Sequence, residues 1–287
     1  MKKLLLFVIL ILIIAIGFYL VSKDQNSNKA ENPEAENQDE ENEILATDPL
    51  NAIYYFEGEE FQFINGVSEK ETEPGSAAKI YTEVFGEPIT GDLDFDGDED
   101  AVLIFIHNPG GSGTFFYLGA AIKKEARYKG LGAIFIGDRI SPEGTQIENG
   151  LVIHNYADRG LDEPMSAPPS IGMSKYLIVE NEELKDITVE NGLSRPFAGQ
   201  IVIAPEVKTF QICESNEVSW IDGSSPAIQE IISNVGDLQA ENNSNAPVFA
   251  ILTGRIKEPV TDGFGADYEN SFLAEKINRL ESSQSCK

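Results

Sequence analysis

Five aspartates alternate with other residues in one short segment, and that pattern suits the binding of a metal ion. The segment reads Gly-Asp-Leu-Asp-Phe-Asp-Gly-Asp-Glu-Asp over residues 91–100 and leads into an apolar run. Alternate carboxylates can turn to one side, Gly97 permits a sharp turn, and Asp98 would offer its backbone carbonyl. Ca²⁺ prefers such a set of oxygen donors. The spacing therefore predicts a calcium site formed by Asp92, Asp94, Asp96, Asp98 and Asp100.

The acidic segment departs from an EF-hand loop, because Leu103 stands where an EF-hand has its last, bidentate glutamate and no helical pattern flanks it. It resembles the shorter calcium loops of FG-GAP and related extracellular β repeats, although Phe95 replaces their usual glycine. The resemblance implies Ca²⁺ binding, and the missing glutamate predicts a weak extracellular site with a Kd of ~10⁻⁴–10⁻³ M. A solvated acidic turn is the alternative interpretation.

The remaining polar groups form no catalytic motif. A Ser–His–Asp hydrolase would have to recruit His154 with Asp158 and Ser112, and no sequence pattern places them together. The glycine-rich residues 108–113 precede a strand-like run instead of the helix that a phosphate loop requires. The two histidines and two cysteines also lack the spacing of zinc ligands. The sequence therefore predicts no catalytic residue.

The net charge of −27 restricts the partners of the chain. Nucleic acid and anionic lipid are both excluded as expected partners, because the chain has too few cations to neutralise phosphates. A strongly acidic surface is typical of cation binding or of a solubilising role.

An uncharged apolar run over residues 4–21 follows Lys2 and Lys3. As a helix it would be about 27 Å long, close to the ~30 Å hydrocarbon core of a bilayer. This run is longer than the ~7–15-residue apolar core of a signal peptide, and no small-residue cleavage site follows it. A membrane anchor over residues 1–23 is therefore expected, with a cleaved signal peptide as the alternative. The lysines predict a cytoplasmic N-terminus and a single-pass protein whose remaining chain is extracytoplasmic.

The chain after the anchor is expected to comprise a tether and two β domains, with one core shared by both β regions as the alternative. Residues 24–48 are rich in acidic and amide side chains and predict a disordered tether. Residues 49–192 contain short apolar runs separated by turn dipeptides, which predicts a sandwich-like β domain. The strand-like runs are 53–56, 61–64, 79–85, 101–107, 114–122, 133–136, 151–155 and 176–179, and the turns are Asn65-Gly66, Asn149-Gly150 and Asn181-Glu182.

A smaller β domain with one short helix is predicted over residues 193–287. Its strand-like runs are 200–204, 209–213, 218–221 and 248–255. Residues 226–235 predict a helix that Ser225 caps and Gly236 ends. Cys213 and Cys286 are the chain's two cysteines, and outside the cytoplasm such a pair predicts a disulfide, with two free thiols as the alternative.

Two resemblances accompany these patterns. Residues 51–187 resemble a type of exported bacterial protein of unknown function, through Tyr-Tyr-Phe-Glu-Gly-Glu-Glu at 54–60, the acidic segment, the glycine-rich residues 108–114 and Asn-Tyr-Ala-Asp at 155–158. Residues 196–287 resemble the C-terminal β-barrel of NlpE-like envelope lipoproteins, through Phe-Ala-Gly-Gln-Ile-Val-Ile at 197–203, Phe-Gln-Ile-Cys at 210–213, Trp220 and Leu-Thr-Gly-Arg-Ile at 252–256. The second resemblance implies an OB-like barrel.

The expected function is a non-catalytic binding or structural role in the cell envelope, with calcium as a stabilising ion and a protein or an envelope polymer as partner. An envelope-polymer hydrolase or an accessory protein of envelope-stress sensing is the alternative.

Overall fold

The computed structural model describes residues 46–160, 162–188, 194–241, 246–282 and 286. This part of the chain is mainly β, with eighteen strands and one α-helix. Within it no helix has the length and hydropathy needed to cross a bilayer. The predicted anchor, the predicted tether up to residue 45 and the predicted domain boundary at residues 192 and 193 all lie outside the described residues.

The strands follow one another in chain order as follows: β1 Ile53–Phe56, β2 Glu59–Gln62, β3 Val67–Glu71, β4 Lys79–Val84, β5 Ile89–Gly91, β6 Asp100–Asn108, β7 Phe115–Lys124, β8 Arg127–Gly130, β9 Ile134–Asp138, β10 Ser141–Glu148, β11 Leu151–Asp158, β12 Ile171–Glu180, β13 Glu183–Asp186, β14 Arg195–Ala204, β15 Val207–Ile212, β16 Val218–Ile221, β17 Val248–Lys257 and β18 Ser271–Glu281. Helix α1 spans Ile228–Glu241 between β16 and β17. Ile44–Lys287 forms one compact unit.

The central sheet has the strand order β3-β4-β6-β7-β8, and in addition β5 pairs with β6 and β9 pairs with β7. Both faces of this sheet are covered. On one face the β1–β2 hairpin contributes its aromatic rings to a core cluster that also contains Leu103 and Phe105 of β6. On the other face Val102 and Ile104 share a cluster with residues of the four-stranded sheet β10-β11-β12-β13. Strand β6 is therefore buried on both sides, which explains why its sequence reads as a continuous apolar run.

The C-terminal strands form a closed barrel in the order β14-β15-β16-β18-β17. All neighbouring pairs are antiparallel except β16 and β18, which are parallel. Ile228, Ile231 and Val235 lie on one buried face of α1 and join the barrel's core cluster. The apolar face of the helix thus packs against the barrel.

The predicted turns are present, and each has the left-handed backbone that its residues favour. Asn149 and Gly150 have φ values of 49° and 72° between β10 and β11. Asn65-Gly66 and Asn181-Glu182 also have positive φ at both positions. A further turn of this type, Glu57-Gly58, connects β1 to β2.

Two predictions about the helix are wrong. The helix continues through Gly236 to Glu241, because its last turn places Leu238 against the barrel core. Ser225 does not cap the helix with its side chain. Its hydroxyl accepts a hydrogen bond from the backbone N–H of Ala274 at 3.0 Å and so connects the start of the helix to β18.

The predicted disulfide joins Cys213 to Cys286. Cys213 follows β15, and its backbone N–H donates to the carbonyl of Ala198 on β14. The bridge therefore attaches Cys286 to the barrel strand β15 through the residue that follows it.

Candidate cation-binding site

The acidic loop, residues 92–100, connects β5 to β6. These strands pair with each other, with Gly91 directly opposite Asp100. The two ends of the loop are therefore held side by side, and Asp92 lies next to Asp100 although they are eight positions apart in the sequence.

Three of the five predicted ligands come together. One carboxylate oxygen from each of Asp92, Asp94 and Asp100 lies within 4.8 Å of the others. Asp100 is fully buried, whereas Asp92 and Asp94 are half-buried. Three converging carboxylates at this spacing are able to share one hard cation.

Both carboxylate oxygens of Asp100 accept hydrogen bonds from the backbone. Its Oδ2 accepts from the backbone N–H of Leu93 at 2.7 Å, and its Oδ1 accepts from the backbone N–H of Lys123 at 2.8 Å. Burial nevertheless raises the pKa of Asp100 to about 7, since the two hydrogen bonds only partly offset the loss of solvent and Asp94 adds repulsion. Its ionised form is thus costly unless a positive charge lies beside it.

Burial also raises the pKa values of Asp92 and Asp94 above the usual range, and Asp96 adds repulsion to both. Asp92 Oδ2 accepts from the backbone N–H of Gly97 at 3.0 Å. Among the described residues no donor reaches Asp92 Oδ1, although this oxygen is buried. A buried acceptor without a donor is a group that a bound cation would satisfy.

The other two predicted ligands lie apart from this group of three. Asp96 Oδ1 accepts from the backbone N–H of Asp98 at 2.8 Å and so stabilises the turn. Asp98 is exposed. Its predicted contribution, a backbone carbonyl, does not depend on its side chain.

Phe95 connects the acidic loop to the barrel. Its φ is +62°, in the left-handed region that favours glycine and where an aromatic side chain is strained. The ring packs against Gly150, at which an added Cβ would lie 2.5 Å from Phe95 Cζ. It also joins a core cluster with Phe249 and Cys213. Arg279 of β18 donates to the Phe95 carbonyl at 2.6 Å, so side chain and backbone both anchor this turn.

A cavity of about 300 Å³ lies beside the acidic loop. Phe95, Ile147 and Phe249 supply apolar walls, while Asp92 and Glu214 supply carboxylates. Both cysteines of the disulfide also line it. The candidate cation site and the disulfide therefore border the same cavity.

The groups considered for hydrolysis do not form a catalytic pair. His154 is fully buried, and its Nδ1 shares a 2.8 Å hydrogen bond with the hydroxyl of Thr145. Burial lowers the pKa of His154 to about 4, so the ring is neutral at pH 7. The carboxylate of Asp158 accepts from the backbone N–H of Arg159 at 2.7 Å. Ser112 lies in an exposed turn, where its carbonyl accepts from Arg139.

Sequence reasoning missed one polar group, which consists of Glu57, His107 and Tyr117. Tyr117 donates a hydrogen bond to Glu57, and His107 Nε2 lies 3.8 Å from Glu57 Oε2. The three residues belong to a turn and two strands that only the fold brings together, so no local spacing signals them.

No family model and no curated protein matches the chain. Among solved structures, the crystal structure of the Cpx pathway activator NlpE from Escherichia coli is similar, with 11% sequence identity. The match covers 78% of this chain and 99% of that chain, with a TM-score of 0.25. This is a weak structural resemblance, and it supports no inference about function.

Proposed function

We propose that this chain is a membrane-anchored extracytoplasmic protein with a non-catalytic binding or structural role in the cell envelope, and that Ca²⁺ bound in the acidic loop stabilises it. The observation that carries the calcium proposal is the convergence of Asp92, Asp94 and Asp100 within 4.8 Å. The partner would be a protein or an envelope polymer.

The electrostatics of the loop support a cation. Three carboxylates with raised pKa values repel one another when ionised, and a divalent ion would replace that repulsion by attraction. Ca²⁺ takes six to eight oxygen ligands in flexible geometry, which three carboxylates, the Asp98 carbonyl and water would supply. Mg²⁺ requires a stricter octahedron and retains its water, so the loop should prefer Ca²⁺.

The extracytoplasmic location rests on two features. A structural disulfide persists in oxidising compartments and is rare in the cytosol. The apolar residues 4–21 after Lys2 and Lys3 favour an anchor with a cytoplasmic N-terminus. Alkylation of the native protein with and without reductant, followed by mass spectrometry, tests the first feature. Two thiols that react without reductant would contradict it.

We further infer that the C-terminal barrel is OB-like. Numbered within the barrel, its strands follow the order 1-2-3-5-4, strands 3 and 5 are parallel, and α1 lies between strands 3 and 4. OB folds are five-stranded Greek-key barrels that bind extended polymers across their strands and loops. This arrangement supports a binding role for the barrel.

The surroundings of His154 support a non-catalytic function over the envelope-polymer hydrolase. A general base must contact the proton that it removes, and His154 is fully enclosed with a hydroxyl as its Nδ1 partner. Asp158 is engaged by the backbone of Arg159. The histidine and the aspartate therefore have separate structural roles.

Calcium titration tests the proposal directly. The full chain, purified in a maltoside detergent and treated with chelator, would be titrated with Ca²⁺ by calorimetry. With a Kd of ~10⁻⁴–10⁻³ M, 10 mM Ca²⁺ should stabilise the fold by about 1.4–2.7 kcal/mol. Asp94→Asn should weaken binding by at least about tenfold, because it removes one of the converging carboxylates.

Asp98→Asn is the matched control, since it changes the charge of the same loop at an exposed side chain outside the group of three. It should retain nearly the full affinity. The absence of both heat and thermal stabilisation at 10 mM Ca²⁺ would refute the calcium proposal. Equal losses in the two variants would indicate a diffuse acidic surface in place of a defined site.

A further inference from the structure

A second pocket, of about 400 Å³, lies where the β1–β2 turn meets β7 and β9. Its lining residues are Glu57, Phe115, Tyr117, Ala133 and Phe135. None of them belongs to the acidic loop. The pocket therefore combines aromatic rings with a single carboxylate.

The aromatic walls are set by strand pairing. Tyr117 of β7 lies directly opposite Phe135 of β9, with ring centroids 5.4 Å apart and planes inclined at 60°. Phe115 precedes Tyr117 by two residues on the same strand, and its ring is 6.2 Å from that of Phe135 at 58°. Rings inclined in this way form an open corner whose two sides a compact group can contact. Phe135 is 48% exposed and accessible to a ligand.

The carboxylate of Glu57 is held at the edge of this corner. Glu57 occupies the left-handed first position of the β1–β2 turn, with φ 53°, and Tyr117 donates its hydroxyl proton to Glu57 Oε1. The Tyr117 proton is therefore already used, and the backbone N–H of Ala133 donates to Tyr55. The side-chain polar atoms left to face a ligand are hydrogen-bond acceptors.

No cation among the described residues neutralises Glu57. Apart from Tyr117, which donates to its carboxylate, Glu57 lies beside His107, which is 1% exposed and whose Nε2 is 3.8 Å away without a hydrogen-bond partner. Burial lowers the pKa of His107, and its Nδ1 pairs with the hydroxyl of Thr82 at 2.9 Å. Burial therefore favours the neutral form of this histidine, and no positive charge on it compensates the Glu57 carboxylate beside the aromatic rings.

We propose that this pocket binds a small organic cation that carries a substituted ammonium group. Such a group is attracted to the faces of aromatic rings and to a carboxylate, and its alkyl substituents remain in contact with apolar carbon. The overall charge of −27 would raise the local concentration of any cation. The proposal is independent of calcium, since the pocket and the acidic loop share no residue.

The test uses choline and its uncharged carbon analogue, 3,3-dimethyl-1-butanol. The full chain in maltoside micelles, with chelator present, would be titrated with each compound and followed by NMR. Choline should bind and the uncharged analogue should bind at least about tenfold more weakly, because only the cation engages the rings and the carboxylate. Measuring in chelator separates this result from failure of the calcium site.

Two variants locate the binding. Phe135→Leu should weaken choline binding roughly twofold to thirtyfold, the range of one cation–π contact. Glu57→Gln should weaken it on the order of tenfold, because it removes the charge and keeps the size. Phe264→Leu and Glu60→Gln are the matched controls, since both residues are exposed and neither lines the pocket.

Three results would overturn the proposal. The first is absence of choline binding at ~100 mM, well above the range expected for a specific ammonium site. The second is equal binding of choline and its uncharged analogue. The third is a loss caused equally by Phe135→Leu and Phe264→Leu. Far-UV circular dichroism of each variant confirms that the fold is retained before binding is compared.

Discussion

The burial of His154 makes a quantitative prediction about the pH dependence of folding. The ring is fully buried on β11, stacks on Tyr156 with centroids 5.7 Å apart, and bonds to the hydroxyl of Thr145. Burial disfavours the charged imidazolium and lowers the pKa from 6.5 to about 4. The folded chain therefore holds this histidine neutral under conditions in which the unfolded chain protonates it.

The sign and size of this pH dependence follow from the linkage between proton binding and folding. Between pH 6.5 and pH 4 the unfolded state binds more protons, so the stability from this group is complete above pH 6.5 and decreases as the pH falls. Between pH 7 and pH 5 the loss is about 2 kcal/mol, and below pH 4 it levels off at about 3 kcal/mol.

Asp100 contributes with the opposite sign. Its folded pKa of about 7 exceeds the usual 3.8, so the folded state binds more protons between these values and gains stability as the pH falls. Between pH 7 and pH 5 this gain is also about 2 kcal/mol. These two contributions to the free energy of unfolding nearly cancel in the wild-type chain. The histidine contribution is therefore measured as the difference between a His154 variant and the wild type.

The assay is urea unfolding at pH 7, 6 and 5, followed by far-UV circular dichroism and by fluorescence of Trp220, the single tryptophan. His154→Gln removes the titrating ring. The free energy of unfolding of this variant, minus that of the wild type, should rise by about 2 kcal/mol from pH 7 to pH 5. Val152→Ala is the control, because it truncates a fully buried side chain on the same strand without changing a titrating group.

Two results would refute the reasoning. A His154→Gln difference that stays constant with pH would mean that His154 is not held neutral by burial. A histidine proton resonance from either ring that titrates with its ordinary midpoint near pH 6.5 would contradict the burial of that ring, because burial lowers the pKa of both. The NMR measurement needs only wild-type protein, so it remains decisive if the variant does not fold.

Three further predictions concern the disulfide, Phe95 of the acidic loop, and the β10–β11 turn that contacts the barrel. Replacing Cys213 and Cys286 by serine should lower the free energy of unfolding by about 4 kcal/mol, because the disulfide joins residues separated by 73 positions in the sequence. Urea unfolding of the double variant, compared with the oxidised wild type, measures this loss. Phe95→Gly removes the left-handed strain but also the packed ring, so a net loss of roughly 1–3 kcal/mol is expected, and a gain in stability would show that the ring contributes nothing. Asn149→Gly keeps the turn but deletes three side-chain hydrogen bonds to Ala198 and Cys213. The free energy of unfolding should fall by roughly 1–3 kcal/mol in the same assay. The control Gly144→Ala, in the adjoining strand β10, should be close to neutral because nothing lies near the added Cβ.

The sequence predicted best those features that local chemistry determines. Dipeptides such as Asn149-Gly150 specify a left-handed turn wherever they occur, and the observed backbone angles agree. Apolar runs such as residues 101–107 predicted the buried strand β6. The Cys213–Cys286 disulfide followed from the number of cysteines.

Strand β18 escaped prediction because its pattern is not that of a regular strand. Leu273, Ile277 and Leu280 are spaced as on a helix. The pairing of β17 with β18 shifts register between Ile251 and Leu252 and again between Thr253 and Gly254. Each shift resets the alternation of inward and outward side chains, so apolar residues at irregular spacing still reach the barrel core. These register shifts depend on the pairing with β17, so the sequence of β18 alone does not predict them.

Which aspartates of the acidic loop lie close together could not be predicted from the sequence for a related reason. The prediction of five aspartates assumed regular alternation along the loop, which Phe95 interrupts with its left-handed backbone. Asp92 and Asp94 precede this reversal and converge on Asp100, whereas Asp96 follows it and stabilises the turn. The reversal is strained for phenylalanine and is maintained by contacts of its ring with the barrel. The barrel therefore helps to shape the acidic loop, and a cation bound to the three carboxylates would in turn stabilise the contact between Phe95 and the barrel.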